Sequence, residues 1–148
     1  MRISRFNDKG YPDPTAYEAL TAVEREQRET RRASQTDYRP LVYICSPYAD
    51  DILNNERKAR RYCRFAIRVN TIPIASHLLY PQLLNENDPE DRRLGLFFGL
   101  VLLTKCEECW VFGNRISNGM AQEISKARRR GIPVRYFTED MEEVEACD

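Results

Sequence analysis

The sequence has no surplus of charge of either sign: 23 Lys and Arg stand against 23 Asp and Glu, a formal net charge of zero. That argues against a non-specific nucleic-acid binder, whose affinity comes from an excess of positive charge. No secretory leader is expected, because no apolar stretch follows Met1-Arg2-Ile3-Ser4-Arg5. The longest apolar run, residues 94–103, is about half of what crosses a bilayer, so no membrane partner is expected. Five cysteines, odd in number and loosely spaced, do not make a disulfide framework and suit a reducing cytoplasm. Cys106-Glu107-Glu108-Cys109 has CxxC spacing, but no second pair exists to complete a zinc site. No metal is expected, and these thiols read as small hydrophobes, one of the pair facing the core and the other a helix end.

What remains is one ordinary domain. The chain has 148 residues, of which 42% are hydrophobic and 10% aromatic, enough for a core of its own. A cytoplasmic single domain is the expectation, divided into an N-terminal arm and charged helix (1–38), an α/β domain (39–138) and an acidic tail (139–148).

In the arm, Tyr11-Pro12-Asp13-Pro14 reads as a turn or extended segment. Residues 15–33 contain no Gly or Pro and read as one helix with a thin apolar stripe: Ala16, Ala19, Leu20 and Val23. So thin a stripe implies packing on the domain or on a second subunit. Ser34-Gln35-Thr36-Asp37 is turn-like.

From Arg39 onward, strand and helix signals alternate. Strands are expected at 41–45, 71–75, 109–112 and 132–137. An amphipathic helix is expected over 56–69, with Ala59, Tyr62, Cys63, Ala66 and Ile67 on its apolar face. Residues 94–103 are apolar all round and predict a buried helix, begun by Asp91 or by Asp88-Pro89. A third helix is expected over 119–130, ended by Gly131. The last ten residues hold six acids and no base, which suits a solvated tail. This order predicts an α/β fold, a flavodoxin- or Rossmann-like three-layer sandwich with a mainly parallel sheet and an added N-terminal helix.

Such sheets bind ligands beyond the carboxyl ends of their strands, which directs attention to Ser46-Pro47-Tyr48, Ser76-His77 and the loop 113–119. In that loop a strand runs through Gly113-Asn114 and Ser117-Asn118-Gly119-Met120 into a helix carrying Glu123. Free backbone N–H groups, the Ser117 hydroxyl and the bare Gly119 suit an anion such as phosphate. The same residues also read as a simple helix start, with Ser117 as N-cap and Glu123 as an acid near the positive helix end. His77, the only histidine, could stack on a base, shuttle a proton or serve the core. Tyr48 and Tyr80 could enclose a base or cover the core. Arg115 could pair with phosphate or be solvated.

The arrangement Ser117-x-Gly119-x-x-x-Glu123, then Ala127 and Gly131-Ile132-Pro133-Val134, resembles the nucleoside 2-deoxyribosyltransferase family, including its branch of 2'-deoxynucleoside 5'-monophosphate N-glycosidases. The first strand and loop, Leu41-Val42-Tyr43-Ile44-Cys45-Ser46-Pro47-Tyr48, fit the same pattern. They are similar above all to uncharacterised, often phage-associated domains of that superfamily. The resemblance spans residues 40–137. It implies that Glu123 attacks C1' of a deoxyribose, that Tyr43 orients its carboxylate and that Ser117 binds a 5'-phosphate. The second acid would be Asp91, with Glu107 and Glu108 as alternatives.

Residues expected along the ligand are Ser46, Pro47, Tyr48, His77, Gly113, Arg115, Ser117, Asn118, Gly119 and Met120. The implied partner is a small nucleoside or nucleotide, with no cofactor, no nucleic-acid polymer and a homodimer or higher homo-oligomer as the working form. A non-catalytic module that binds a nucleotide or an ADP-ribose-type ligand in the same crevice is the alternative.

Overall fold

Successive residues of a strand face opposite sides of its sheet, so two central strands rich in apolar residues at every position demand cover on both faces. The computed structural model describes residues 14–35 and 38–146. It divides into two units, Met1–Tyr38 and Arg39–Asp148. The first unit contains α1 (Pro14–Gln35), on which Leu20 and Val23 are half exposed. The expected Tyr11-Pro12-Asp13 turn lies outside the described residues, as do Thr36 and Asp37 of the expected turn after the helix. Ser34 and Gln35 are helical.

The second unit runs β1 (Leu41–Cys45), α2 (Ile52–Arg68), β2 (Ile72–Ile74), α3 (Ser76–Leu79), α4 (Pro89–Leu103), β3 (Glu108–Phe112), α5 (Asn118–Arg129), β4 (Val134–Phe137) and β5 (Glu143–Val144). The sheet order is β2-β1-β3-β4-β5. All pairs are parallel except β4 with β5. On one face, Val42, Ile44, Trp110 and Phe112 pack under Tyr62 and Ala66 of α2, with Phe137 of β4. On the other, Tyr43, Cys45, Cys109 and Val111 pack under Leu103 of α4 and Met120, Ile124 and Ala127 of α5. This is the three-layer α/β sandwich expected from the sequence.

Three expectations need correction. Helix α2 begins at Ile52, before the expected 56: its first residues are exposed, and the buried stripe that marks the helix in the sequence starts only at Ala59. The Asn55 side chain instead ties it to the preceding loop by donating to the Tyr48 and Ala49 carbonyls. Helix α4 begins at the expected Asp88-Pro89, with the Asp88 carboxylate accepting from the Glu90 N–H, but it is not buried all round. Only Gly99 and Leu103 are buried; Leu94, Phe97 and Val101 are 40%, 58% and 41% exposed, on the side turned away from α3 and α5.

The acidic segment is not simply a solvated tail, since Glu143 and Val144 pair with Phe137 and Tyr136 as an antiparallel edge strand. Arg135 explains why. Its guanidinium forks onto Glu143 at 2.7 and 2.9 Å, reaches Glu108 at 3.4 Å and lies over the Trp110 ring at 5.1 Å. An edge strand of acids next to an arginine-bearing strand is held by charge rather than by burial.

The aromatic column Tyr62–Phe112–Phe137, with stacked rings 4.2 and 5.0 Å apart, fastens α2 to the sheet. Phe112→Ala should cost about 3–5 kcal/mol. Urea unfolding followed by the fluorescence of Trp110, the single tryptophan, measures it. A loss below about 1 kcal/mol would show that the column does not anchor the helix.

Candidate active site

Glu123 lies within the first turns of α5 and Tyr43 in the middle of β1, and the sandwich brings them together from 80 residues apart. The Tyr43 hydroxyl donates to Glu123 Oε1 at 2.8 Å. A second contact, 2.8 Å long, joins the same hydroxyl to Ser76 Oγ at the start of α3. A phenol has one proton. With that proton on the carboxylate side, Ser76 must donate to the Tyr43 oxygen, so the three groups form a directed chain. The Cys45 thiol lies beside them and points its proton at the Met120 carbonyl, 3.9 Å away.

The space for this chain is held by Gly99. A Cβ there would fall 2.9 Å from the Tyr43 hydroxyl and 3.0 Å from Ser76 Oγ, too close for either to stay in place. Ser76 was marked by its place just after a strand, though its bond to Tyr43 was not foreseen; Gly99 sits inside an apolar run and carried no signal.

Burial pushes the Glu123 carboxyl above the ordinary carboxylate value, and the neighbouring Cys45 thiol and Tyr43 hydroxyl pull it partly back. Burial and the neighbouring Glu123 charge raise Tyr43 well above an ordinary phenol, so it remains a proton donor at neutral pH. The site is thus a sheltered carboxylate whose ionised form is favoured by the Tyr43 donor.

Next to it lies a second group. Ser46 follows Cys45, and His77 follows Ser76, so this group adjoins the first. Ser46 Oγ and His77 Nε2 are 3.1 Å apart, and the Tyr48 ring is tilted toward His77 at 5.9 Å between centroids. Burial lowers His77 to about 4, which leaves the imidazole neutral at pH 7, able to accept or donate one hydrogen bond. Burial raises the Tyr48 hydroxyl, as does its hydrogen bond to Glu86, an acid the sequence did not flag. Pro47 lies between Ser46 and Tyr48 and is half-buried.

The loop before α5 is exposed at Arg115, Ser117 and Asn118. Ser117 is the N-cap, its Oγ accepting from the Met120 N–H at 3.3 Å. Gly113 turns the chain out of β3 at φ +98°, a conformation that favours glycine, while its N–H bonds the Phe137 carbonyl. Gly119 is half-buried, and a Cβ there would come no nearer than 4.0 Å to Ser117 Oγ. The Met120 side chain belongs to the core.

The expected second acid and its alternatives each have partners of their own. Asp91 accepts the Asn85 N–H at 2.8 Å and so helps shape the turn before α4. Glu108 is bound to Trp110 Nε1 at 2.7 Å and to Arg135. It begins β3, so it sits at the amino edge of the sheet, roughly 13 Å along the strand from the edge where Gly113 leaves. Glu107 precedes it, with its N–H on the Leu41 carbonyl. Neither glutamate is at the carboxyl edge of the sheet, where Ser46, Ser76 and Gly113 follow their strands.

Among the described residues, no three His, Cys, Asp or Glu side chains are grouped to hold a metal ion. Both Cys106 and Cys109 are buried, and Cys106 is pushed up to about 12, chiefly by that burial. A surface concavity of about 470 Å³ over β4 and β5 is lined by Arg135 and Glu143, which are committed to each other.

Two measurements test this electrostatic picture. Tyr43→Phe removes a donor to the ionised carboxylate, so Glu123 should titrate at higher pH than in the wild type by carbon-13 NMR; an unmoved titration would contradict the bond. For His77, the unfolded side chain titrates near 6.5 and the folded one near 4. Between those values the unfolded chain holds the extra proton, so stability falls as pH drops through the window. His77→Gln should flatten that fall in urea midpoints taken at pH 7 and about pH 4.5, and an unchanged slope would place the cause elsewhere.

The fold is similar to that of a 2-deoxyribosyltransferase from the psychrotolerant bacterium Bacillus psychrosaccharolyticus. The TM-score is 0.54 at 17% sequence identity, over 73% of this chain and 77% of that one. At that identity the likeness is one of fold, and it supports the deoxyribosyltransferase resemblance at that level. No curated protein matches the sequence. Residues 40–137 match the family model described as Domain of unknown function (DUF7768), and since that stretch is well over half of the chain, the protein belongs to this family.

Proposed function

We propose that the protein cleaves or transfers the N-glycosidic bond of a nucleoside or nucleoside 5'-monophosphate, with Glu123 as nucleophile. The observation that carries this reading is the 2.8 Å bond from the Tyr43 hydroxyl to a sheltered Glu123 at the start of α5. A carboxylate oxygen attacks C1' of the deoxyribose, the bond from C1' to the base nitrogen breaks, and a glycosyl ester forms on Glu123. The departing base takes a proton from a nearby acid. Water, or a second base, then attacks C1' and frees the carboxylate. Desolvation makes the Glu123 carboxylate a stronger nucleophile, while the Tyr43 hydroxyl, donating to it, favours the ionised form.

Supporting roles follow the geometry and the family resemblance. Tyr43 orients the carboxylate, and Ser76 orients Tyr43. Ser46, Pro47, Tyr48 and the neutral His77 form the surface for the base. Ser117, Asn118, Gly119 and the Met120 backbone, with Arg115 in the same loop, are the phosphate side. Asp91 is the proton donor on the resemblance. Glu86, hydrogen-bonded to Tyr48, is a second candidate for that step.

Nothing in this chemistry calls for a metal or organic cofactor. The working form in this reading is a cytoplasmic homodimer or higher oligomer, for which exposed Leu94, Phe97 and Val101 on α4 offer an apolar face. No helix among the described residues is long and apolar enough to cross a membrane.

Incubation with the four deoxynucleoside monophosphates and their nucleosides, followed by chromatography, tests the reading. Free base should accumulate with at least one of them. Glu123→Ala should slow its release by about a thousandfold or more with the circular dichroism spectrum unchanged. Equal turnover in Glu123→Ala would refute the nucleophile. Saturable binding with every ligand recovered intact would instead make the crevice a nucleotide-binding module.

A further inference from the structure

Helix α2 buries Ala59, Tyr62 and Ala66 against the sheet, and its outward face is of another character. Arg57, Arg61, Arg64 and Arg68 are all exposed, at intervals of four, three and four residues. That spacing sets them in one line, roughly 16 Å long on the helix surface. Arg60 flanks the line, and on the same flank stand Leu53, 80% exposed, and Ile67, 51% exposed. Among the described residues, none of these five arginines is in an ion pair with a carboxylate. Neighbouring like charges at these intervals weaken a helix by a few tenths of a kcal/mol per pair. An electroneutral chain has therefore gathered uncompensated positive charge along one face.

We propose that this face is a docking surface for an acidic, amphipathic segment of another protein. The occupant would present carboxylates in a line to the arginines and one apolar side chain to each of Leu53 and Ile67, which stand at the two ends of that line. Three features favour carboxylates over a phosphate backbone. Apolar residues run beside the arginines, and a phosphodiester has little use for them. The aromatic residues of the helix, Tyr62 and Phe65, are turned inward, so the face has no platform for stacking bases. The chain already seats one carboxylate on the edge of this helix, Glu139 on Lys58 at 2.9 Å. Arginine's planar fork suits such partners, because it grips a carboxylate through two parallel hydrogen bonds. The proposal does not depend on the chemistry assigned to Glu123.

The test is fluorescence anisotropy with a labelled helical peptide of about twelve residues, carrying four Glu at the same intervals and two Leu beside them. Duplex and single-stranded oligonucleotides of equal charge serve as rivals. The peptide should bind the full chain saturably, more weakly as salt rises, and more tightly than either oligonucleotide. The triple variant Arg57→Gln, Arg61→Gln, Arg64→Gln should lose about tenfold or more, and Leu53→Ser with Ile67→Ser a smaller but measurable factor. These positions are exposed, so circular dichroism should show each variant folded. Absent binding, or equal binding by the arginine variant, would overturn the proposal. So would tighter binding of an oligonucleotide that ignores the Leu53 and Ile67 changes, which would make the face a polyphosphate surface.

Discussion

The Tyr43 hydroxyl is where four elements of the fold converge: it rises from β1, meets Ser76 of α3 and Glu123 of α5, and lies under Gly99 of α4. A carboxylate sheltered from water is costly unless donors satisfy it. This constraint explains choices that look arbitrary alone. Tyr43, fully buried, must be a tyrosine rather than another large apolar residue, because its ring fills the core while its oxygen serves the carboxylate. Ser76 must be small and hydroxylated, and the helix passing overhead must lack a side chain at position 99.

Much of this order was legible in the sequence, for reasons that can be traced. Strands β1 and β3 are short apolar runs ended by Ser46-Pro47 and by Gly113, and they lie where those breaks require. Helix α5 stops at Gly131, which takes φ +69°. What was hidden depends on contacts between distant segments. The apolar run at 94–103 signals burial, but hydrophobicity does not say that Phe97 faces outward and Gly99 inward. The acidic end gives no strand signal of its own, because its pairing depends on Arg135 and the neighbouring edge of β4. At the site, the pairing of Tyr43 with Glu123 was reached through family resemblance, and spacing alone would also have fitted a plain helix start. Ser117 does act as that helix cap, so the two readings share one residue.

The vanishing net charge is likewise resolved into parts. Positive charge is lined up along α2 and negative charge gathers in 139–148; Lys58–Glu139 joins the two, and Arg135 of β4 holds Glu143 of the acidic segment. The groups gathered around Tyr43 are a carboxyl raised above its ordinary value by burial, an imidazole held neutral and a phenol held protonated.

The central claim is that Glu123 bonds covalently to the sugar. Mass spectrometry of the rapidly quenched and digested protein, after incubation with a substrate that it turns over, tests that claim directly. The account predicts a deoxyribosyl or deoxyribosyl-phosphate adduct on the peptide containing Glu123, absent in Tyr43→Phe protein sampled at the same early time. Base release with the adduct on another residue, or with rapid quenching that never captures one on Glu123, would contradict it.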